Sequence, residues 1–121
     1  MGAVFELPRS ATIEDPMRLA VMISGGGSGL AALLEYQREE SRCHRTVLVL
    51  ADRIDAGGLE HGRGEGVRSI GIPLPKGLAK TEKRLAHERL LHDELISCNV
   101  ELVVLSGYMR ILTPWFVGRW K

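Results

Sequence analysis

The sequence predicts an α/β protein built on a doubly wound parallel sheet, and three observations carry that prediction. Apolar runs alternate in type along the chain, short and rich in strand formers, then longer and helix-like, which is the rhythm of parallel strands joined by crossover helices. The strand-like runs TVLVLA (46–51) and LVVLS (102–106) do not alternate apolar with polar residues, as burial on both faces of a parallel sheet requires. A glycine-rich segment, Ser24-Gly25-Gly26-Gly27-Ser28-Gly29, stands between the first such run and a helix-like stretch.

Taken in order, residues 1–17 hold Pro8 and Pro16 with no sustained period and read as a loose extension, so the fold is expected from Arg18 to Lys121. Leu19 to Ile23 is the first strand and Leu30 to Arg38 the first helix. Thr46 to Ala51 is the second strand. A second helix is expected over Ala56 to Glu65, weakened by Gly57, Gly58, Gly62 and Gly64, each worth up to ~1 kcal/mol against alanine. Ser69 to Leu74 is a short third strand closed by Pro73 and Pro75. Thr81 to Ser97 is the longest helix, with Thr81 as its N-cap. Val100 to Ser106 is the fourth strand, and Pro114 opens a last helix.

A chain of 121 residues with 45% apolar content is one domain with one core. Sixteen basic and fifteen acidic side chains leave a formal charge of +1, so no global field recruits nucleic acid or an anionic membrane. Cys43 and Cys98 lack any C-x-x-C spacing, which argues against a zinc site or a disulfide framework and for buried free thiols in a reducing compartment. No apolar run approaches the ~20 residues of a membrane span. No leader pattern opens the chain, and the expected location is the cytoplasm.

In doubly wound sheets ligands bind beyond the carboxyl ends of the strands, where strand order reverses. The loops after the first and fourth strands are therefore the candidate site. After the first strand, glycines let an oxyanion approach backbone N–H groups at the positive end of a helix dipole, the chemistry of a phosphate cradle. The same residues also suit a plain turn. A third reading is a dinucleotide site, since Gly27-x-Gly29-x-x-Ala32 fits G-x-G-x-x-A and Asp52 ends the second strand where a ribose-binding acid belongs. Ser24 and Ser28 suit one terminal phosphate better than a pyrophosphate. After the fourth strand, Ser106-Gly107-Tyr108-Met109-Arg110-Ile111-Leu112-Thr113-Pro114 offers an apolar slot with one guanidinium, which suits a flat heteroaromatic ligand with an acidic tail. Core closure by Met109, Ile111 and Leu112 is the competing reading.

The stretches RLAVMISGGGSGLAALL (18–34), VLVLADRIDAGGLEHGRGEGV (47–67) and ELVVLSGYMRILTPWFVGRW (101–120) together resemble the folate-dependent glycinamide ribonucleotide formyltransferase family, in order and spacing, over about 100 residues. The resemblance implies a Rossmann-like α/β fold of which four strands are present. It implies that Gly27, Ser28 and Gly29 hold the phosphate of glycinamide ribonucleotide, although the family usually has Asn where this chain has Gly29, which would tune that binding. It implies that Met109, Arg110, Ile111 and Leu112 line the pterin pocket of 10-formyltetrahydrofolate, with Arg84 a further folate contact or a solvated charge. Deformylases acting on the same folate resemble the chain there but carry Gln where it has Arg110, so the resemblance favours a transferase. No metal is implied.

Formyl transfer to an amine needs oxyanion stabilisation and a group that takes the amine proton. The family supplies these from an Asn, a His and an Asp beyond the position where this sequence stops. The four histidines do not replace them: His44 is expected in a loop, His61 in the glycine-rich helix away from both strand ends, and His87 in the core. His87 and His92 are five apart and diverge by about 140° around a helix, so they cannot form a metal pair. Trp115, Phe116 and Trp120 are expected to find their partners on elements outside the chain. The sequence thus reads as the first half of a domain, inactive alone, completed by its missing half or by a homo-oligomer. A non-catalytic folate- and phosphate-binding module, a deformylase and a dinucleotide-binding oxidoreductase fragment remain the alternatives.

Overall fold

The computed structural model describes residues 11–108 and 112–120. Strand β1 (Met17–Ile23) leads to helix α1 (Ser28–Glu39), then β2 (His44–Ala51), α2 (Leu59–Gly64), β3 (Arg68–Gly71), α3 (Lys80–Ser97), β4 (Leu102–Leu105) and α4 (Pro114–Trp120). The strands form one sheet in the order β3-β2-β1-β4, and all three pairings are parallel. Strand order thus reverses at β1, between β2 on one side and β4 on the other.

Successive residues of a strand point to opposite faces, and here both faces are covered. Ala20 and Met22 of β1 and Leu48 and Leu50 of β2 form one core cluster with Leu91 and Leu95 of α3 and Phe116 of α4. Val21, Ile23, Val49 and Ala51 point the other way, onto Leu30 and Leu34 of α1 and Leu59 of α2. The sheet is therefore doubly wound, with α1 and α2 on one face and α3 and α4 on the other. Each of the buried leucine, isoleucine, valine, methionine and phenylalanine side chains contributes roughly 1.5–3 kcal/mol.

The buried stripe of α3 is His87, Glu88, Leu91 and Leu95, two polar residues among the apolar ones. His87 is packed in the core as expected, and its Nε2 donates to the carbonyl of Ile72 just after β3. Glu88, 1% exposed, accepts from the backbone N–H of Thr113, at 2.7 Å, and from its hydroxyl. Thr113 in turn accepts the first amide bonds of α4, from Phe116 and Val117. A buried carboxylate on α3 therefore fixes where α4 begins. Arg68 of β3 makes a two-point contact with Glu94 of α3 at 3.0 and 3.3 Å, and this hydrogen-bonded pairing raises the arginine pKa above its ordinary value.

Several expectations are corrected. Met17 belongs to β1, where it pairs with His44; His44 is accordingly in a strand, taking a hydrogen bond from Gln37 Nε2 at 2.9 Å. Thr81 is not the cap of α3: the first amide bond, Lys83 to Ala79, makes the extended Ala79 the cap, and no side chain assists it. The second helix does not begin at Ala56, because Gly58 is drawn into another contact described below. The third strand stops at Gly71; Ile72 still donates to Ala51, and Pro73 has no N–H to continue. Cys43 is exposed rather than buried. The aromatic residues of α4 find partners within the chain. Phe116 is 1% exposed in the core, Trp120 Nε1 donates to His92 Nδ1 at 3.1 Å, and the Trp115 ring lies under the guanidinium groups of Arg119 and Arg89 at 4.2 and 5.2 Å.

Replacing Glu88 by alanine leaves the Thr113 donors without their acceptor, and unfolding in urea should show a loss of about 2–4 kcal/mol. Glu94→Ala, at the more exposed ion pair with Arg68, should lose about 1 kcal/mol or less in the same measurement.

Candidate functional site

The loop after β1 is shaped by what surrounds each glycine. Gly27 has φ +69°, a left-handed conformation that favours glycine, and it caps α1 without any side-chain hydrogen bond. The first helical amide bond runs from Ala31 to the Gly27 carbonyl at 2.8 Å. The N–H groups of Ser28, Gly29 and Leu30 precede it and have no intrahelical partner. No acidic residue stands in the first turn of α1 to oppose the positive end of its dipole.

The loop rests on the residues before α2. Gly58 N–H donates to the Gly25 carbonyl at 2.9 Å, and a Cβ on Gly58 would lie 2.5 Å from Ile23 Cδ1 and 3.0 Å from Gly27 Cα. The two glycine segments touch backbone to backbone. His61, one turn further, donates from Nε2 to the Gly26 carbonyl at 3.1 Å. His61 therefore stands at the glycine loop, not away from the strand ends as the sequence suggested; the tight Gly58 contact carries α2 there.

The opposite wall comes from the end of β4. Ser106 N–H donates to Met22 of β1 at 2.9 Å, which brings Ser106 and Gly107 beside the loop. Ser24 through Gly29, Asp52, Arg53, Ser106 and Gly107 together line one open cleft of about 500 Å³. Asp52, at the end of β2, is 6% exposed, and the Arg53 side chain is largely exposed at the rim. The cleft thus offers backbone amides, serine hydroxyls and one guanidinium beyond the carboxyl ends of β1, β2 and β4.

Gly27, Ser28 and Gly29 all line this cleft. Arg84 lies in the second turn of α3, half-buried on the other face of the sheet, and is not among the lining residues. Leu112 packs against the α3-side core and lines a separate apolar groove with Val103, Leu105, Phe116, Val117 and Trp120. The predicted pterin-pocket residues Met109, Arg110 and Ile111 lie outside the described residues. Ser106, Arg53 and His61 were not singled out from sequence. Ser106 follows directly on an apolar strand at the switch point, and that position was the available signal. Among the described residues no group of His, Cys, Asp and Glu is arranged to hold a metal ion, and no helix is long and apolar enough to cross a membrane.

A doubly wound sheet with an open glycine-lined cleft at its switch point defines the class of α/β proteins that bind ligands beyond their strand ends. Comparison with known proteins narrows this: the chain belongs to the formyl transferase family, whose model matches residues 17–121. It is 41% identical over 106 residues to the trifunctional purine biosynthetic protein adenosine-3 of Chironomus tentans, covering 86% of this chain and 7% of that protein. It is 32% identical over 104 residues to the phosphoribosylglycinamide formyltransferase of Escherichia coli K12, covering 86% and 47%. Among solved structures, glycinamide ribonucleotide transformylase 1 from Symbiobacterium toebii superposes with a TM-score of 0.76 at 33% identity, over 87% of this chain and 48% of that one. The chain thus spans about half the length of these single-function bacterial relatives and less than a tenth of the trifunctional one.

Gly58→Ala is expected to push the loop off its seat, because the new methyl meets Ile23 and the Gly25 carbonyl at 2.5 and 2.9 Å. Overpacking of this kind costs about 1–3 kcal/mol. Thermal unfolding should register the loss, and hydrogen exchange should quicken at the amides of residues 24–30 more than in β2.

Proposed function

We propose that this chain carries the ribonucleotide-binding half of a phosphoribosylglycinamide formyltransferase. In that reaction the amine nitrogen of glycinamide ribonucleotide bonds to the formyl carbon of 10-formyltetrahydrofolate, and the bond from that carbon to N10 breaks. The amine loses a proton and N10 gains one. The observation that carries the reading is the cleft at the β1–β4 switch point, formed by an uncapped helix start and two serine-bearing loops, in a chain of the formyl transferase family.

On this reading the amides of Ser28, Gly29 and Leu30 receive the phosphate oxygens of the ribonucleotide, where they exchange water for a fixed set of donors. Arg53 at the rim supplies countercharge. Met109, Arg110, Ile111 and Leu112 receive the pterin, and Glu88 holds Thr113, which follows them in the chain. Arg84 is retained as a candidate folate contact at the start of α3. On this reading the groups that take the amine proton and stabilise the tetrahedral oxyanion come from outside this chain, which covers 47% of the Escherichia coli relative.

Titrating the 15N-labelled chain with glycinamide ribonucleotide should shift the amides of residues 26–30 and 106–107. The nucleoside form without phosphate should bind at least about tenfold more weakly, since several charge-assisted hydrogen bonds are lost. Equal binding of the two would sink the proposal. Formyl transfer by the 121-residue chain alone should stay at background, and measurable turnover would overturn the assignment of the proton-transfer groups to the remaining half.

A further inference from the structure

Gly29 is the second residue of α1, and the place where its side chain would begin is already occupied. A Cβ built on Gly29 would lie 2.4 Å from Ser106 Oγ, well inside any real contact. A helical Cβ tilts toward the helix N-terminus, so the hydroxyl of Ser106 sits beside the unengaged amides of the first turn. Its own backbone N–H is committed to Met22 in the strand ladder, which holds the residue in place. Its hydroxyl, by contrast, makes no hydrogen bond among the described residues. Gly107 follows with φ +71° and turns the chain away, leaving Ser106 half-buried on the cleft wall.

We infer that Ser106 is a substrate-binding residue: its hydroxyl donates to the phosphate in the cleft, and the absence of a side chain at Gly29 is what gives it room. The inference rests on the phosphate reading of the cleft given above. The two positions share one volume, so they should behave as a unit. A side chain at 29 turns the Ser106 hydroxyl out of its present rotamer, and loses the same hydrogen bond that deleting the hydroxyl loses. A serine that merely ends a strand would show no such coupling to phosphate affinity.

The test is a double-mutant cycle on the 121-residue chain, read as the dissociation constant for inorganic phosphate at constant ionic strength from amide shifts of residues 26–30. Ser106→Ala should weaken binding about tenfold, the scale of one charge-assisted hydrogen bond. Gly29→Ala should weaken it by a similar factor in the Ser106 background and by less than about twofold in the Ser106→Ala background. Amide spectra of the variants check that each is folded. If the parent chain binds phosphate and Ser106→Ala binds it equally well, or if the two substitutions add, the role of Ser106 is overturned while the phosphate cleft stands. If phosphate leaves the loop amides of the parent chain unmoved, the cleft reading falls, and the role of Ser106 with it.

Discussion

The pairing of β4 with β1 is the constraint on which the site depends. Four residues on each side are in register, from Leu19 opposite Leu102 to Met22 opposite Leu105, and the ladder is closed by Glu101 donating to Arg18 and Ser106 donating to Met22. Residues as far apart as Arg18 and Glu101, 83 positions in sequence, thereby become neighbours. Because the strands are parallel and in register, both chains leave the sheet at the same level. The cleft is the space between those two exits. A ladder so short gains only a few kcal/mol in net hydrogen bonding, and the larger share of its hold comes from α3 and α4, which bury Leu91, Leu95 and Phe116 against the same strand pair.

Glu88 shows how that packing reaches the cleft side of the molecule. A carboxylate 1% exposed in the stripe of a helix is expensive unless its oxygens are satisfied. Here both Thr113 donors satisfy it, so the start of α4 and the end of the loop after β4 are pinned to α3 by a polar contact inside an apolar surround. His87, on the same stripe, pins the chain after β3 in the same way. The two contacts place the connections on both sides of α3, which apolar packing alone would leave free to slide.

The layered fold was legible in the sequence because burial on both sheet faces leaves an unmistakable pattern: TVLVLA has no polar alternation since Leu48 and Leu50 face one helical layer and Val49 and Ala51 the other. The location of the open cleft was legible for a topological reason, the switch point at β1. What was not legible is proximity. Gly57 and Gly58 read as residues that weaken a helix, yet Gly58 is required by a backbone contact with Gly25 and Gly27, and Gly62 by an approach in which a Cβ would meet Ser69 Oγ at 2.1 Å. His61 looked remote for the same reason, since its distance from the loop is set by that glycine contact. Trp115 and Trp120 looked unpartnered because the groups that meet their rings and indole N–H, His92, Arg89 and Arg119, are polar and do not enter a count of apolar positions, whereas Phe116 packs into the apolar core.

A glycine in a sequence records that a side chain is absent without saying whether conformation or crowding excludes it. In this cleft the structure separates the two causes. Gly27 is demanded by its positive φ and Gly58 by the neighbouring backbone, while at Gly29 the missing side chain leaves the space that the hydroxyl of Ser106 occupies. The distinction matters for how the cleft recognises its ligand. With a formal charge of +1 the chain has little long-range field to concentrate anions, so on the proposed phosphate reading affinity would come from short-range donors already aimed into the space. Amides fixed by Gly27 and a hydroxyl seated over Gly29 would be such donors on that reading, and their arrangement is held by the sheet at no further conformational expense.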